Sequence, residues 1–142
     1  MRRPAMRTVL LSAAALVGAI QLVPIDRSNP PARADPPAPQ PVAALLRRAC
    51  YDCHSNETRW PWYDYIAPGS WLVRHDIQSG RRHLNFSAWP SYPAATREKN
   101  LRDISEQVSH GDMPLWYYTP LHPNARLTPA EVRAIVDWTN SH

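Results

Sequence analysis

Cys50, Tyr51, Asp52, Cys53 and His54 form C-x-x-C-H, and Cys50 and Cys53 are the only cysteines in the 142-residue chain. This spacing is the attachment signature of c-type haem. Two thiols add across the two vinyl groups on one haem edge, and the next residue is a histidine whose imidazole can swing under the iron. With no third cysteine, both thiols are consumed by one group, which predicts one covalent haem c per chain held by Cys50, Cys53 and His54. Two other chemistries stay open at this point. A C-x-x-C pair can be a disulfide or a thioredoxin-like redox pair, although that motif normally opens a helix within a βαβ pattern absent here. Structural zinc would need four Cys or His ligands, and only scattered histidines follow His54.

A haem iron held by one histidine has a sixth position to fill. Gly111, Asp112, Met113 and Pro114 follow a helical stretch in a turn, and a methionine beside a proline can present its thioether rigidly to a metal. Met113 is therefore the candidate second axial ligand, and the other two methionines lie near the amino terminus. Methionine also fills gaps in cores, which is its commoner use. His75, His83, His110 and His122 compete, His110 most directly because it lies three residues before Met113. His110 equally suits a helix C-terminus, where a cation meets the negative end of the dipole. His142 is the last residue.

The elements that must position these residues are helices. Val42, Leu45, Leu46 and Ala49 recur at helical spacing and run into Cys50. Leu101, Ile104 and Val108 place a second stripe on a helix from about Ala94 to His110, with Gly111 set to end it. Thr128, Pro129 and Glu131 make a capping box with proline at the first helical position, Leu127 can staple onto Val132, and Val132, Ile135 and Val136 give the third stripe. A shorter helix is expected around Trp71, Leu72, Val73 and Ile77. Trp60, Trp62, Trp71 and Trp89, with Tyr63, Tyr65, Phe86 and Tyr92, suit the lining of a flat apolar cofactor or the core of a small domain.

Ahead of this region, Arg2, Arg3 and Arg7 precede an apolar run from Thr8 to Val23. That pattern predicts an export signal or a single-pass anchor over residues 1–23, with the haem site on the periplasmic face of the inner membrane, or periplasmic after cleavage. Seven of the eighteen residues from Pro24 to Pro41 are proline, which predicts a semi-rigid spacer over 24–41. Residues 42–142 then form the haem-binding domain. The formal net charge of +4 is concentrated at the start, because residues 1–41 carry five arginines against two aspartates. No basic stripe is left for nucleic acid.

The run from Val23 to Pro31, the block from Cys50 to Trp62, and the segments Ile66–Pro68, Ser70–Val73, Gly80–Arg81, Leu84–Ser87, Met113–Pro114 and Leu121–Pro123 occur in a distinctive order across nearly the whole chain. On these the chain resembles the bacterial haem-binding domain family of exported mono-haem c-type proteins. The resemblance implies an all-α, cytochrome c-like domain with haem on Cys50 and Cys53 and His54 on iron. It implies no defined substrate, and its Leu-His-Pro triplet adds His122 as an outside candidate.

The expected function is a membrane-tethered electron carrier rather than an enzyme, since no acid–base pair or nucleophile is positioned for hydrolysis and electron transfer needs no further catalytic residue; the sequence does not name the redox partner. The rival is a haem sensor or peroxidase-like enzyme with an open or labile sixth position, in which His110 or Arg81 would serve as distal groups.

Overall fold

The apolar stripes at positions 42–49, 94–110 and 128–136 all form helices in the structure, a computed structural model that describes residues 5–141. The order is α1 (Met6–Ile20), α2 (Gln40–Ala49), α3 (Tyr51–His54), α4 (Gly69–His83), α5 (Ala94–His110) and α6 (Pro129–Asn140), with 3-10 turns at Trp62–Tyr65, Trp89–Ser91 and Pro123–Ala125. Among the described residues the only β pairing is an isolated bridge between Ala34 and Ala88. The fold is all-helical, as expected.

Local chemistry sets the helix ends. Thr128 accepts a hydrogen bond from the Glu131 amide while the Glu131 carboxylate accepts from the Thr128 amide, so the capping box is complete with Pro129 at the first position. Gly111 ends α5 with φ of 75°, a left-handed conformation that glycine adopts without the Cβ penalty. Cys50 leaves helical geometry at φ −125° and ψ −34°, so the chain breaks after α2 and re-enters a helix as the single turn α3. The expected short helix around Trp71–Ile77 is longer than its apolar residues suggest, running from Gly69 to His83.

The chain divides into two compact units. One comprises the described part of residues 1–28 together with 60–76. Here the Gln21 side chain closes on the Ala67 backbone, donating to its carbonyl at 3.2 Å and accepting from its amide at 2.9 Å. Arg27 pairs with the buried carboxylate of Asp64 and lies over the Tyr65 ring at 4.4 Å.

The other unit comprises 29–59 and 77–142 and contains the main core. Leu46, Phe86 and Ile135 are its largest fully buried apolar side chains, packed with Val42, Tyr51, Trp89, Leu101, Ile104, Val108 and Trp138. Helices α5 and α6 lie against each other, and α2 packs on α3 and α6. Leu127 and Val132 both pack at the edge of this core, next to the capping box. In the proline-rich stretch, the Pro37 carbonyl accepts from the Trp138 indole at 3.1 Å.

The expected membrane anchor is corrected by α1. Its 15 residues rise to roughly 22 Å at about 1.5 Å each, short of a hydrocarbon core of about 30 Å. Among the described residues, no helix is long and apolar enough to cross a membrane. The chain leaves the helix at Gln21, whose side chain is drawn to Ala67. The placement on the periplasmic face of the inner membrane rested on that anchor and falls with it. Arg2, Arg3 and His142 lie outside the described residues.

Ile135 is fully buried in the centre of the core. Ile135→Ala is expected to remove about 3 kcal/mol of stability, since it combines lost burial with a cavity, whereas Arg133→Ala on the exposed side of α6 should change it by less than about 0.5 kcal/mol. Urea unfolding midpoints of the three proteins provide the check.

Candidate functional site

The site is built where α2 stops. α2 carries the chain to Cys50, and α3 gathers Cys50, Cys53 and His54 on a single turn, with the amides of Cys53 and His54 both bonded back to the Cys50 carbonyl at 3.2 and 2.9 Å. Cys50 and Cys53 are half-buried and not joined as a disulfide. Burial first, and the neighbouring Cys53 second, push the Cys50 thiol up to about 12. A reactive redox pair depends on a depressed thiol pKa, so Cys50 does not suit that alternative.

His54 is oriented by backbone. Its Nδ1 lies 3.1 Å from the Leu84 carbonyl oxygen, which can only accept, so Nδ1 carries the proton and Nε2 keeps its lone pair. Burial holds the imidazole below its ordinary value of 6.5, with hydrogen bonds to the Leu84 and Gly80 backbones pulling the other way. The ring is therefore neutral at neutral pH, the form in which histidine binds iron.

Leu84 reaches His54 because α4 approaches the motif without a side chain in between. A Cβ on Gly80 would lie 2.7 Å from the Cys53 carbonyl oxygen and 3.3 Å from the Cys53 Cβ. Beside it, Arg81 donates to the Ser55 carbonyl at 2.8 Å, to the Asn29 side chain at 2.8 Å and to Thr58 Oγ1 at 3.0 Å. The segment after α4 completes the frame. The Phe86 amide donates to the His54 carbonyl at 2.8 Å, and the Phe86 ring stacks on Tyr51 with centroids 5.1 Å apart. Asn85 donates to Asn56 and accepts from the Ser87 amide, while Ser87 Oγ accepts from the Asn56 amide.

The loop after α5 also touches the motif. The Tyr118 hydroxyl donates to Asp52 Oδ2 at 2.9 Å, and the His122 ring stacks on Tyr118 at 4.0 Å and 9°. Met113 is half-buried in the same loop, its amide bonded to the Gln107 carbonyl at 3.2 Å. The structure thus brings Cys50, Cys53 and His54 onto one turn and ties the loop that carries Met113 to that turn through Asp52. Of the competing histidines, His75, His83 and His110 are exposed, and His83 Nδ1 is turned to the Ser79 carbonyl of its own helix at 2.8 Å.

Several contributors escaped the sequence. Leu84 acts through a carbonyl oxygen, to which residue identity gives no clue. Gly80, Leu84, Asn85 and Ser87 stood in the resembling segments with no role attached, and their roles are structural. Arg81, weighed as a distal group, is committed to Ser55, Asn29 and Thr58. Of the aromatic residues expected as lining, Phe86 and Trp89 are buried, whereas Trp62 is 70 % exposed. Among the described residues, no group of three or more His, Cys, Asp or Glu side chains could hold a metal ion.

The donor set fits haem on these grounds: a neutral, oriented imidazole directly after two unbridged thiols, on a turn that α4 meets closely at Gly80. Fold and site together define a small all-helical haem-binding protein. The chain belongs to the haem-binding domain family, whose model matches residues 15–141. No curated protein and no solved structure matches it.

Gly80→Ala tests the close approach. Alanine is favoured over glycine in a helix by about 1 kcal/mol, but displaced backbone should outweigh that gain and leave a net loss of about 1–3 kcal/mol. Gln78→Ala, exposed on the same helix, should be neutral or slightly stabilising, and urea unfolding of both variants decides.

His122 gives a pH signature. Its pKa is lowered chiefly by burial, raised in part by Asp52 and lowered again by Arg59. A histidine depressed on folding contributes stability that is complete above its unfolded value of about 6.5 and is lost as pH falls through the folded value. Arg59→Gln removes one lowering charge, so the His122 midpoint in a ring-proton NMR titration should rise yet stay below 6.5.

Proposed function

We propose that the chain is a cytochrome c-like electron carrier holding one haem c through thioethers at Cys50 and Cys53, with His54 and Met113 as the axial ligands. The observation that carries this reading is the hydrogen bond from His54 Nδ1 to the Leu84 carbonyl, which fixes the tautomer and leaves Nε2 as a ligand atom. When bound, the haem supplies a ferric–ferrous couple that exchanges one electron with a partner protein. The protein's part is to hold that couple with little rearrangement.

His54 is held by backbone rather than by a mobile side chain, so its ring has little freedom to reorient as the iron charge changes. The Leu84 carbonyl draws on the Nδ1 proton and makes the opposite nitrogen a better donor. Met113 offers a soft thioether, which favours the ferrous state relative to a second histidine. Support for Met113 over His110 comes from placement: Met113 is half-buried in a loop tied to the motif, whereas His110 is exposed. The commitment of Arg81 to structural hydrogen bonds removes one of the two distal groups that a peroxidase-like site would use.

The test is the visible spectrum of the full chain produced with a haem-attachment system, ferric and reduced, with and without CO. The carrier reading expects haem that survives denaturation on the chain, a low-spin spectrum that CO moves only slowly, and prompt CO uptake in Met113→Ala but not in His110→Ala. A parent protein that is high-spin and binds CO would overturn the carrier in favour of a sensor. A colourless product would overturn the attachment.

A further inference from the structure

We propose that Tyr118 is a positioning residue for the sixth-ligand segment, its phenol latching the loop between α5 and the Pro123–Ala125 turn onto the attachment turn through Asp52. The proposal rests on the reading of Met113 as an axial ligand.

The loop has a firm start. Gly111 turns the chain out of α5, and the amides of Asp112 and Met113 both donate to the Gln107 carbonyl, at 3.0 and 3.2 Å. Its far end enters the Pro123–Ala125 turn, where Ala125 is buried. Between these points every residue from 111 to 122 is exposed or half-exposed, and two large apolar side chains stand largely in solvent, Trp116 at 81 % and Leu121 at 59 % exposed. Met113, Pro114, Leu115, Tyr117 and Tyr118 are half-buried, so packing holds part of this stretch. What ties it to the motif is polar.

Tyr118 donates to Asp52 Oδ2 at 2.9 Å, and Asp52 sits between the two cysteines. The other carboxylate oxygen accepts from the Arg59 amide at 3.2 Å and its Nε at 3.4 Å, so Asp52 is held from both sides. The Tyr118 ring is fixed flat against His122, and the amides of Leu121 and His122 both donate to the Tyr118 carbonyl at 3.2 Å. Tyr118 is thus both the centre of the loop's own turn and its link to α3. Met113 lies between the α5 anchor and this latch, so the latch limits how far its thioether can drift from His54's turn.

A hydrogen bond to a carboxylate is among the stronger neutral-to-charged contacts, and its loss should raise the population with the loop detached roughly ten- to hundredfold. In the holo full chain, CO reaches ferrous iron only when Met113 is displaced, so the rate of CO uptake reads that population. Tyr118→Phe keeps the ring stacked on His122 and removes only the hydroxyl. It is expected to stay low-spin without CO and to take up CO at least about tenfold faster than the parent. The Tyr118, Thr119, Leu121 and His122 amides should exchange hydrogen faster, while Ile104 and Val108 in α5 are unchanged.

Asp52→Ala removes the same bond from the other side and should give a similar rise, with the double variant no faster than the faster single. Arg59→Gln, which leaves the Tyr118 bond in place, should stay within about twofold of the parent. Uptake in Tyr118→Phe and Asp52→Ala within twofold of the parent, while Met113→Ala reacts freely, would overturn the latch and leave Met113 as the ligand. A parent that binds CO as fast as Met113→Ala would overturn the ligand reading and, with it, the positioning role of Tyr118.

Discussion

The approach of α4 to the Cys53 peptide at Gly80 is the constraint from which the geometry of the site follows. At Gly80 the helix has no side chain, and the space a Cβ would need is already taken by the Cys53 backbone. One helical turn later the Leu84 amide donates to the Gly80 carbonyl at 2.9 Å, so Leu84 is held in register with Gly80. On the other side of the contact, the residue after Cys53 is His54. Two chains that touch at Gly80 and Cys53 therefore bring the Leu84 carbonyl to His54. The tautomer of the candidate ligand is set by a backbone-to-backbone distance, and a bulkier residue at position 80 would disturb it without touching the histidine.

That contact needs α3 and the segment behind it to be stiff, and polar groups rather than apolar mass make them so. Ser55, Thr58 and Ser87 are all buried, and each hydroxyl is used. Ser55 Oγ donates to the Tyr51 carbonyl at 2.7 Å and accepts from the Glu57 amide at 2.9 Å. Thr58 Oγ1 donates to the Asp52 carbonyl at 2.7 Å and accepts from Arg81 at 3.0 Å. Buried hydroxyls left unpaired would be destabilising, so these bonds specify one path for the chain after the motif. Apolar packing enters from one side only, where Phe86 stacks on Tyr51 and the helical core begins.

How much of this could be seen in advance differs sharply between helices and site. The stripes at Val42–Ala49, Leu101–Val108 and Val132–Val136 gave their helices, because burial of one face against a core repeats at the helical period and caps such as Thr128 and Gly111 are local. The motif was equally plain as a spacing, and the structure gathers Cys50, Cys53 and His54 at one turn. Non-local supports were not visible. Leu84 contributes a carbonyl oxygen, Tyr118 is distant in sequence from Asp52, and Gly80 reads as an ordinary helix weakener until its neighbour is known. The apolar run near the amino terminus failed as an anchor for a related reason: hydropathy alone cannot show that Gln21 is drawn to Ala67 and that the helix stops there. That Trp62 stands exposed was not legible either, because a proline-interrupted stretch has no period from which to tell inside from outside.

The two sides of the proposed iron site are held by different physics. The His54 side is held by a close backbone contact at Gly80, the tautomer-fixing hydrogen bond that follows from it, and an arginine with three acceptors. The Met113 side lies on a partly buried loop that is tied to the motif by a phenol on a carboxylate. A carrier gains from rigidity on both sides, because reorganisation slows electron exchange, yet only one side has it by packing. Asp52 resolves the asymmetry by lying within the C-x-x-C-H motif itself: whatever positions that turn positions the loop's anchor as well. On the proposed reading of Met113 as a ligand, the loop that carries it takes its reference point from the rigid half of the site.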